Sequence, residues 1–321
     1  MIYAPVLIPT LNRYDHFVNL ISSLQKNKLA EKTDLYIGLD YPPNEKYTEG
    51  YDMIKDYLSL GIQGFRSVNV IQHQRNVGAT ENIESLINEI RNKYDRFILS
   101  EDDNVFSPCY LEYMNLGLDL IKDDDDLMCV CGYSYPVKWI DRGLGVIKEQ
   151  SFVSAWGFGT FLKKYDKIGN QLRNGYYNKK VFVKLKSLRK KSKKNYVYCV
   201  SQLYGNHGLI PNDIGLSCYQ LLENKYCLMP TTSLVRNNGW DGSGVNCHNK
   251  NEDFYSKQVI SSKIDFYLPE NIQKASDIIH IQENEFTINA FYPSNKLDYF
   301  KCLIKELILK FRIVFKVMLY E

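Results

Sequence analysis

Four short apolar runs in the first hundred residues alternate with stretches of helical periodicity, and this alternation constrains the fold more than any other feature of the chain. Short runs rich in valine, isoleucine and leucine are typical of buried strands. Strands that alternate with helices predict a mainly parallel sheet with right-handed crossovers. We therefore expect an α/β fold in which the loops after the runs meet along one edge of the sheet. The runs occupy residues 6–8, 35–39, 68–71 and 97–99.

Three consecutive acids, Glu101, Asp102 and Asp103, follow the fourth run directly. Their mutual repulsion would cost stability unless a cation or backbone donors compensate it. An isolated acidic triplet is more often a solvated turn that caps the next helix. A strand end at the sheet edge is, however, where ligands bind in open α/β sheets, which favours a metal or ligand site. The loops after the first three runs should bring further polar side chains to the same edge, namely Arg13, Asp40 and Asn76.

Composition indicates a globular chain with one large domain, or one domain with an appendage. It has 321 residues, 45% hydrophobic content and a net charge of +3, so bulk charge argues neither for nor against a polyanionic partner. Its eight cysteines lack Cys-x-x-Cys pairs, which favours reduced thiols in a cytoplasmic protein and argues against a zinc site. The first residues lack the features of a signal peptide, and no apolar run is long enough to span a membrane.

Two later segments are candidates for ligand contacts. Trp156 and Gly157 lie in an aromatic, glycine-bearing stretch that suits a sugar-sized ligand, although a tight turn packed by aromatic side chains explains it equally well. Asp213 lies near the first turn of a predicted helix, where a carboxylate is stabilised in its charged form and can serve as a base. On local sequence alone, a simple helix cap is the more common role for such a residue.

A glycine-rich polar stretch at residues 236–248 predicts a loop that could close over a ligand. His248 at its end could contact a metal or a phosphate, although a surface histidine in a loop is the commoner explanation.

Two basic segments could contact a membrane. Residues 179–194 carry nine lysines and arginines, and residues 300–318 combine an apolar helical face with lysines around it. An anionic bilayer, or the phosphates of a lipid-linked acceptor, would attract both segments. The alternatives are a solvated face for the first segment and a packed helix for the second. Nucleic acid is disfavoured because no stacking or groove-reading motif accompanies the charge.

Several of these motifs together resemble a known family. Residues 97–113, where the acidic triplet precedes Ser-Pro and an aromatic helix, are similar to a motif of the GNT-I type N-acetylglucosaminyltransferases. Residues 8–13 and 75–82 look like motifs of family 2 glycosyltransferases. The chain therefore resembles the nucleotide-sugar-dependent glycosyltransferases of the GT-A fold, over roughly residues 3–250. This resemblance implies a Rossmann-like, mixed but mainly parallel sheet flanked by helices at residues 1–265, and a C-terminal helical extension at 266–321.

The resemblance also implies an activity. It suggests an inverting transfer of a hexosyl or N-acetylhexosaminyl group from a nucleotide-sugar, in particular a UDP-sugar. The acceptor would be a hydroxyl of a glycan or lipid-linked molecule in surface polysaccharide synthesis. The enzyme would be cytoplasmic, or peripheral on the inner face of the cell membrane.

Residue roles follow from the same resemblance. Asp103, with His248 as a further candidate, would bind Mn²⁺ or Mg²⁺ at the donor phosphates. Asp213 would be the general base, although the family has two adjacent acids where this chain has Asn212 before Asp213. Trp156 and Gly157 would lie on the acceptor or sugar side. The donor would be contacted by Thr10, Arg13, Asp40, Asn76, Glu101 and Asp102.

Two other classes of function stay open on the sequence. A sugar-1-phosphate nucleotidyltransferase also uses an α/β sheet and carboxylate-bound metal, but it should have a glycine-rich loop after the first strand, and residues 9–13 contain no glycine. A non-catalytic sugar-binding domain could tolerate the loss of Asp103 or Asp213. Both residues in one concave site would count against such a domain.

Overall fold

A computed structural model describes residues 2–134, 145–150, 152–173, 176–205, 213–244, 258–275 and 296–318. His248 and Asn212 lie outside these ranges. Within them, no helix is long and apolar enough to cross a membrane.

The described part of the chain contains eleven strands. They are β1 (Val6–Thr10), β2 (Asp34–Leu39), β3 (Ser67–Gln72), β4 (Arg96–Leu99), β5 (Asn104–Phe106), β6 (Leu127–Cys131), β7 (Val146–Glu149), β8 (Phe158–Phe161), β9 (Tyr226–Pro230), β10 (Val235–Asn237) and β11 (Gln273–Lys274).

The helices of the same ranges are α1 (Tyr14–Gln25), α2 (Thr48–Ser59), α3 (Gly78–Ile90), α4 (Tyr110–Ile121), α5 (Leu162–Arg173), α6 (Tyr176–Lys191), α7 (Lys193–Tyr204), α8 (Asp213–Glu223) and α9 (Lys296–Met318).

Nine of the strands form one mixed, mainly parallel sheet in the order β11-β7-β9-β6-β8-β4-β1-β2-β3. The four strands predicted from the apolar runs lie side by side and parallel at one end of it. Strand β8 runs antiparallel to both of its neighbours, β4 and β6, which themselves run in the same direction. The predicted α/β architecture and the C-terminal helix are confirmed.

Helices cover both faces of the sheet. Phe97 and Ile98 are consecutive in β4 and therefore point to opposite faces. The ring of Phe97 packs edge-on against Tyr165 of α5 at 5.4 Å. On the other face Gly159, the cross-strand partner of Ile98, lies so close to Met114 of α4 that a Cβ atom would come within 2.7 Å of its methyl carbon. Burial on both faces explains why the central strands are continuous apolar runs without alternation.

The C-terminal extension contacts the rest of the chain at several places. The backbone nitrogen of Phe266 donates to Glu112 Oε2 of α4 at 2.7 Å. Strand β11 pairs in parallel with β7. Helix α9 packs on α7, where the Tyr196 hydroxyl donates to Glu306 Oε2 at 2.6 Å. The domain division at residue 265 stays a prediction.

Candidate active site

The centre of the site is an ion-pair cluster at the carboxyl ends of β1 and β4. Because these two strands are adjacent and parallel, the loops that follow them meet. Arg13 Nη1 donates to Asp103 Oδ2 at 2.6 Å, and Arg13 Nη2 donates to Asp102 Oδ1. The Thr10 hydroxyl donates to Asp102 Oδ2 at 3.0 Å. The structure thus brings together four of the residues that the sequence predicted for the donor and metal sites.

Strand β10 closes the opposite side of Asp103. The Asn237 side-chain amide donates to Asp103 Oδ1, and the backbone nitrogen of Asn238 donates to the Asp103 carbonyl at 2.9 Å. Gly239 comes so near that a Cβ atom there would lie 2.1 Å from Asp103 Oδ2 and 3.0 Å from Arg13 Nη1. Glycine is required at this position because any side chain would displace the cluster.

The turn after Gly239 is tied to helix α1. His16 Nε2 lies 2.9 Å from Asp241 Oδ2, and the backbone nitrogen of Ser243 donates to Asp241 Oδ1 at 2.9 Å. Partial burial acts to raise the pKa of Asp241, but the hydrogen bonds from Ser243 and His16 outweigh it and lower the pKa to about 2. Asp241 therefore stays ionised at neutral pH, which keeps this contact in place.

Negative charge exceeds positive charge within the cluster. Asp102 and Asp103 are only 5% and 4% exposed. Burial raises the pKa of Asp102, although Arg13 and Thr10 oppose that shift. Loss of hydration and the charges of Asp103, Asp102 and Asp213 raise the pKa of Glu101 to about 8, against a smaller opposing effect of Arg13. One guanidinium therefore compensates only part of the charge that these carboxylates would carry.

Asp213 is the first residue of α8 and is exposed. Its charge contributes to the raised pKa of Glu101, so the two carboxylates are near enough to interact. The position at a helix start matches the predicted setting, in which the helix dipole favours the charged form.

Asp40 and Asn76 form a separate group of contacts. The Asp40 carboxylate accepts from the backbone nitrogens of Val77 and Gly78, both at 2.9 Å, and from the Asn76 side chain at 3.1 Å. Gly78 opens α3 with a φ of +78°, a conformation that glycine adopts readily. These contacts fasten the start of α3 to the loop after β2, and none of them joins the Arg13 cluster.

Trp156 and Gly157 lie beside residues 237–241, the stretch that covers Asp103, which we call the closing segment. The Trp156 ring packs edge-on against Tyr133 at 4.7 Å and against Trp240 at 6.5 Å. Gly157 has a φ of +67°, and a Cβ atom there would lie 2.7 Å from the Tyr110 hydroxyl. Packing alone accounts for glycine at residue 157, whereas Trp156 belongs to an aromatic group next to the residues that cover Asp103.

Three cysteine sulfurs cluster away from these acids. The sulfur atoms of Cys129, Cys131 and Cys227 lie within 4.8 Å of one another, and all three residues are buried. Hydrogen bonds from Cys129 and Cys227 lower the pKa of Cys131. The sequence did not indicate this group because Cys227 reaches it through the pairing of β6 with β9.

Comparison with known proteins gives a partial likeness. No family model matches the chain, and no curated protein matches it in sequence. Among solved structures, the mannosyltransferase PcManGT from Pyrobaculum calidifontis, in complex with GDP-Man and Mn²⁺, is 9% identical with a TM-score of 0.37, over 52% of this chain and 47% of that one. A structure of S. aureus TarS, residues 1–349, is 14% identical with a TM-score of 0.37, over 51% of this chain and 49% of that one.

The chain therefore matches only about half the length of each of these neighbours. At such low identity and partial coverage, the likeness indicates nothing about a shared activity. The function has to be inferred from the site itself.

Proposed function

We propose that this protein is a glycosyltransferase that takes a sugar from a nucleotide-sugar donor. The observation that carries the proposal is the cluster of Arg13, Asp102 and Asp103 at the edge of the sheet, with Asp213 close to the neighbouring Glu101. Open α/β sheets bind their ligands at this edge. Carboxylates and a guanidinium held together there provide groups for both a metal ion and a phosphate.

The residues of the cluster fit a divalent cation. Two adjacent buried carboxylates already hold one cationic group, Arg13, between them. Their oxygens are the hard ligands that Mn²⁺ and Mg²⁺ prefer. Asp103 and Asp102 would hold the ion. When bound, it would neutralise charge on the nucleoside diphosphate leaving group.

Arg13 has a second role in this proposal. It occupies the space between the two carboxylates, so it must give up at least one of these contacts when another cation is held there. A guanidinium that leaves a carboxylate can pair with a donor phosphate in the same bidentate manner. Arg13 would then compensate the charge of the donor rather than that of Asp102 and Asp103.

Asp213 would take the proton from the acceptor hydroxyl. Base catalysis of this kind typically supplies about 10²–10⁴-fold in rate. Glu101, with a pKa of about 8, carries a proton near neutral pH and can donate a hydrogen bond to a sugar oxygen. A single base on the acceptor side agrees with an inverting transfer.

The finer assignments belong to the same proposal. We infer a UDP-sugar as donor and the transfer of a hexosyl or N-acetylhexosaminyl group. The acceptor would be a glycan or a lipid-linked molecule in the synthesis of a surface polysaccharide, and the transfer would take place on the cytoplasmic side. Trp156 would stack on a sugar ring, as aromatic faces do. Thr10 would position Asp102, while Asp40 and Asn76 would shape the donor side by fastening the start of α3. The interaction between Glu101 and Asp213 supports an enzyme over a non-catalytic sugar-binding domain.

A thermal-stability screen tests the proposal. A panel of nucleotide-sugars is added to the protein with Mn²⁺, and again with a chelator. We expect at least one donor to raise the Tm in the presence of the metal, and Asp103→Asn to abolish that rise. Asp123→Asn is the matched control, because Asp123 is an exposed acid in the run of four after α4. If no donor stabilises the parent, or if Asp103→Asn responds like Asp123→Asn, the proposal is wrong.

A further inference from the structure

The two basic segments of the sequence are brought together by helix α7. Residues 176–205 contain nine basic side chains and no acid, and they form α6 and α7. More than ninety residues later in the chain, α9 packs on α7. The cationic groups of Lys305 and Arg312 lie over the ring of Tyr204, at 5.4 and 4.8 Å from its centroid. Positive charge from two distant parts of the chain therefore collects on one layer of helices.

Helix α9 has one packed face and one exposed apolar face. Cys302, Glu306 and Leu309 lie on the packed side and are 2–8% exposed. At about 100° per residue, the large apolar residues of the other side fall within an arc of about 100°. We call these residues the α9 stripe. They are between 36% and 66% exposed, and they are Leu297, Phe300, Ile304, Leu307, Ile308 and Phe311.

Basic side chains border this stripe. Lys301, Lys305 and Arg312 project along one edge of it, judged from the same helical spacing. Exposed lysines of α6 and α7, such as Lys186 and Lys190, add to the charge of the layer. An apolar face with lysine and arginine along its border is the pattern of a helix that lies in a membrane interface.

We propose that the α9 stripe inserts into the interface of an anionic bilayer while the basic side chains of α6, α7 and α9 contact its headgroups. The surface is complementary to an anionic bilayer because it offers apolar side chains for insertion and positive charge for the lipid phosphates. Charges recur too often along α9 for it to span a membrane, so the helix lies in the plane of the interface.

The position of the α9 stripe at a membrane also suggests what kind of acceptor the enzyme uses. This inference about the acceptor rests on the proposed function. Helix α7 packs against α8, where the sulfurs of Cys199 and Cys218 are 3.3 Å apart. Helix α8 begins with Asp213, the proposed base. Among the described residues, helix contacts thus lead from α9 through α7 to α8 and the proposed base, which favours an acceptor that is carried by a lipid.

Vesicle sedimentation with the full chain tests the surface. We expect binding to vesicles of equal parts phosphatidylglycerol and phosphatidylcholine, much weaker binding to phosphatidylcholine alone, and loss of binding at high salt. The double variant Phe300→Asp, Phe311→Asp should bind at least tenfold more weakly, because two charges replace inserted aromatic rings. Lys186→Gln, Lys190→Gln, Lys301→Gln should lower binding by roughly a hundredfold, at about 1 kcal/mol for each charge.

Leu60→Asp is the matched control. Leu60 is 82% exposed at the end of α2, which packs beside β3 at the far end of the sheet. This variant should bind vesicles like the parent. Because all substituted positions are exposed, each variant should keep the circular dichroism spectrum and Tm of the parent. If the double variant Phe300→Asp, Phe311→Asp does not fold, the triple lysine-to-glutamine variant still tests the proposal.

Two results would overturn the proposal. The first is a parent protein that does not bind anionic vesicles. The second is a parent that is dimeric in solution and becomes monomeric in Phe300→Asp, Phe311→Asp with unchanged vesicle binding, since the stripe would then be a contact between two copies. The response of Tm to nucleotide-sugars is measured on the same proteins. If that response is missing while vesicle binding holds, the proposed function fails and the membrane surface stands.

Discussion

Arg13→Met is the change that tests the site most directly, because it removes the guanidinium that bridges Asp102 and Asp103. Both carboxylates are at most 5% exposed, so water cannot replace the lost partner well. Breaking a buried ion pair by removing one partner typically destabilises a protein by about 3–5 kcal/mol. Proton uptake by one carboxylate limits the loss, so we expect about 3 kcal/mol near neutral pH. For 321 residues, this corresponds to a fall in Tm of about 4 °C.

Thermal unfolding with a chelator and with Mn²⁺ separates the two roles of Arg13. In the parent, the ion must compete with the guanidinium for the carboxylates. In Arg13→Met that competition is gone, so Mn²⁺ should raise the Tm of the variant more than that of the parent. The deficit of the variant should also be smaller near about pH 5 than near about pH 8, because protonation neutralises the unpaired carboxylates.

Arg66→Met is the matched control for this experiment. Arg66 pairs with Asp34 at the start of β2, and its side chain is 45% exposed. The Asp34 carboxylate is buried, but the Tyr94 hydroxyl also donates to it. The loss of Arg66 should therefore cost less than the loss of Arg13, and it should not change the response to Mn²⁺. If Arg13→Met is as stable as the parent and responds to Mn²⁺ no more than Arg66→Met does, Asp102 and Asp103 neither need a cation nor hold one.

Three further predictions concern neighbouring residues. Gly239→Ala should lower both the Tm and the response to metal, because its Cβ would lie 2.1 Å from Asp103 Oδ2; a normal response measured by the same assay would show that the closing segment is movable. Asp213→Asn should bind donor by calorimetry like the parent yet lose transfer, and retained transfer would move the base elsewhere. Glu101 has a pKa raised to about 8, so the folded state binds a proton that the unfolded state releases above about pH 4.5. Stability should therefore fall as the pH rises toward 8, and Glu101→Gln should reduce that slope in urea unfolding; an unchanged slope would contradict the assignment.

The parallel half of the sheet was predictable because its signals are local. Each strand there is a short apolar run followed by a loop and an amphipathic helix, and this order fixes the direction of every strand. Adjacent parallel strands must bring their following loops together, so the approach of Arg13 to Asp102 and Asp103 follows from topology. The pairing spans about ninety residues of sequence, yet the pattern of runs is enough to expect it.

The partners of an acid at a strand end are less predictable. Asp40 ends β2 at the same edge, but its carboxylate is used by the backbone nitrogens of Val77 and Gly78. Those donors are present because they open α3, which leaves its first amide groups without partners inside the helix. Strand-end position therefore places an acid at the edge without deciding between a ligand and a helix start.

The closing half of the site could not be derived from the sequence, for a physical reason. Strands β5 and β10 have three residues each, too few for an alternating pattern to be visible. Asn237 reaches Asp103 across 134 residues, through a pairing that no local signal specifies. The metal site proposed here is thus completed only when the antiparallel part of the chain has folded onto the parallel part. Changes in β10 should for that reason affect the Asp103 carboxylate as strongly as changes in β1, although only β1 stands out in the sequence.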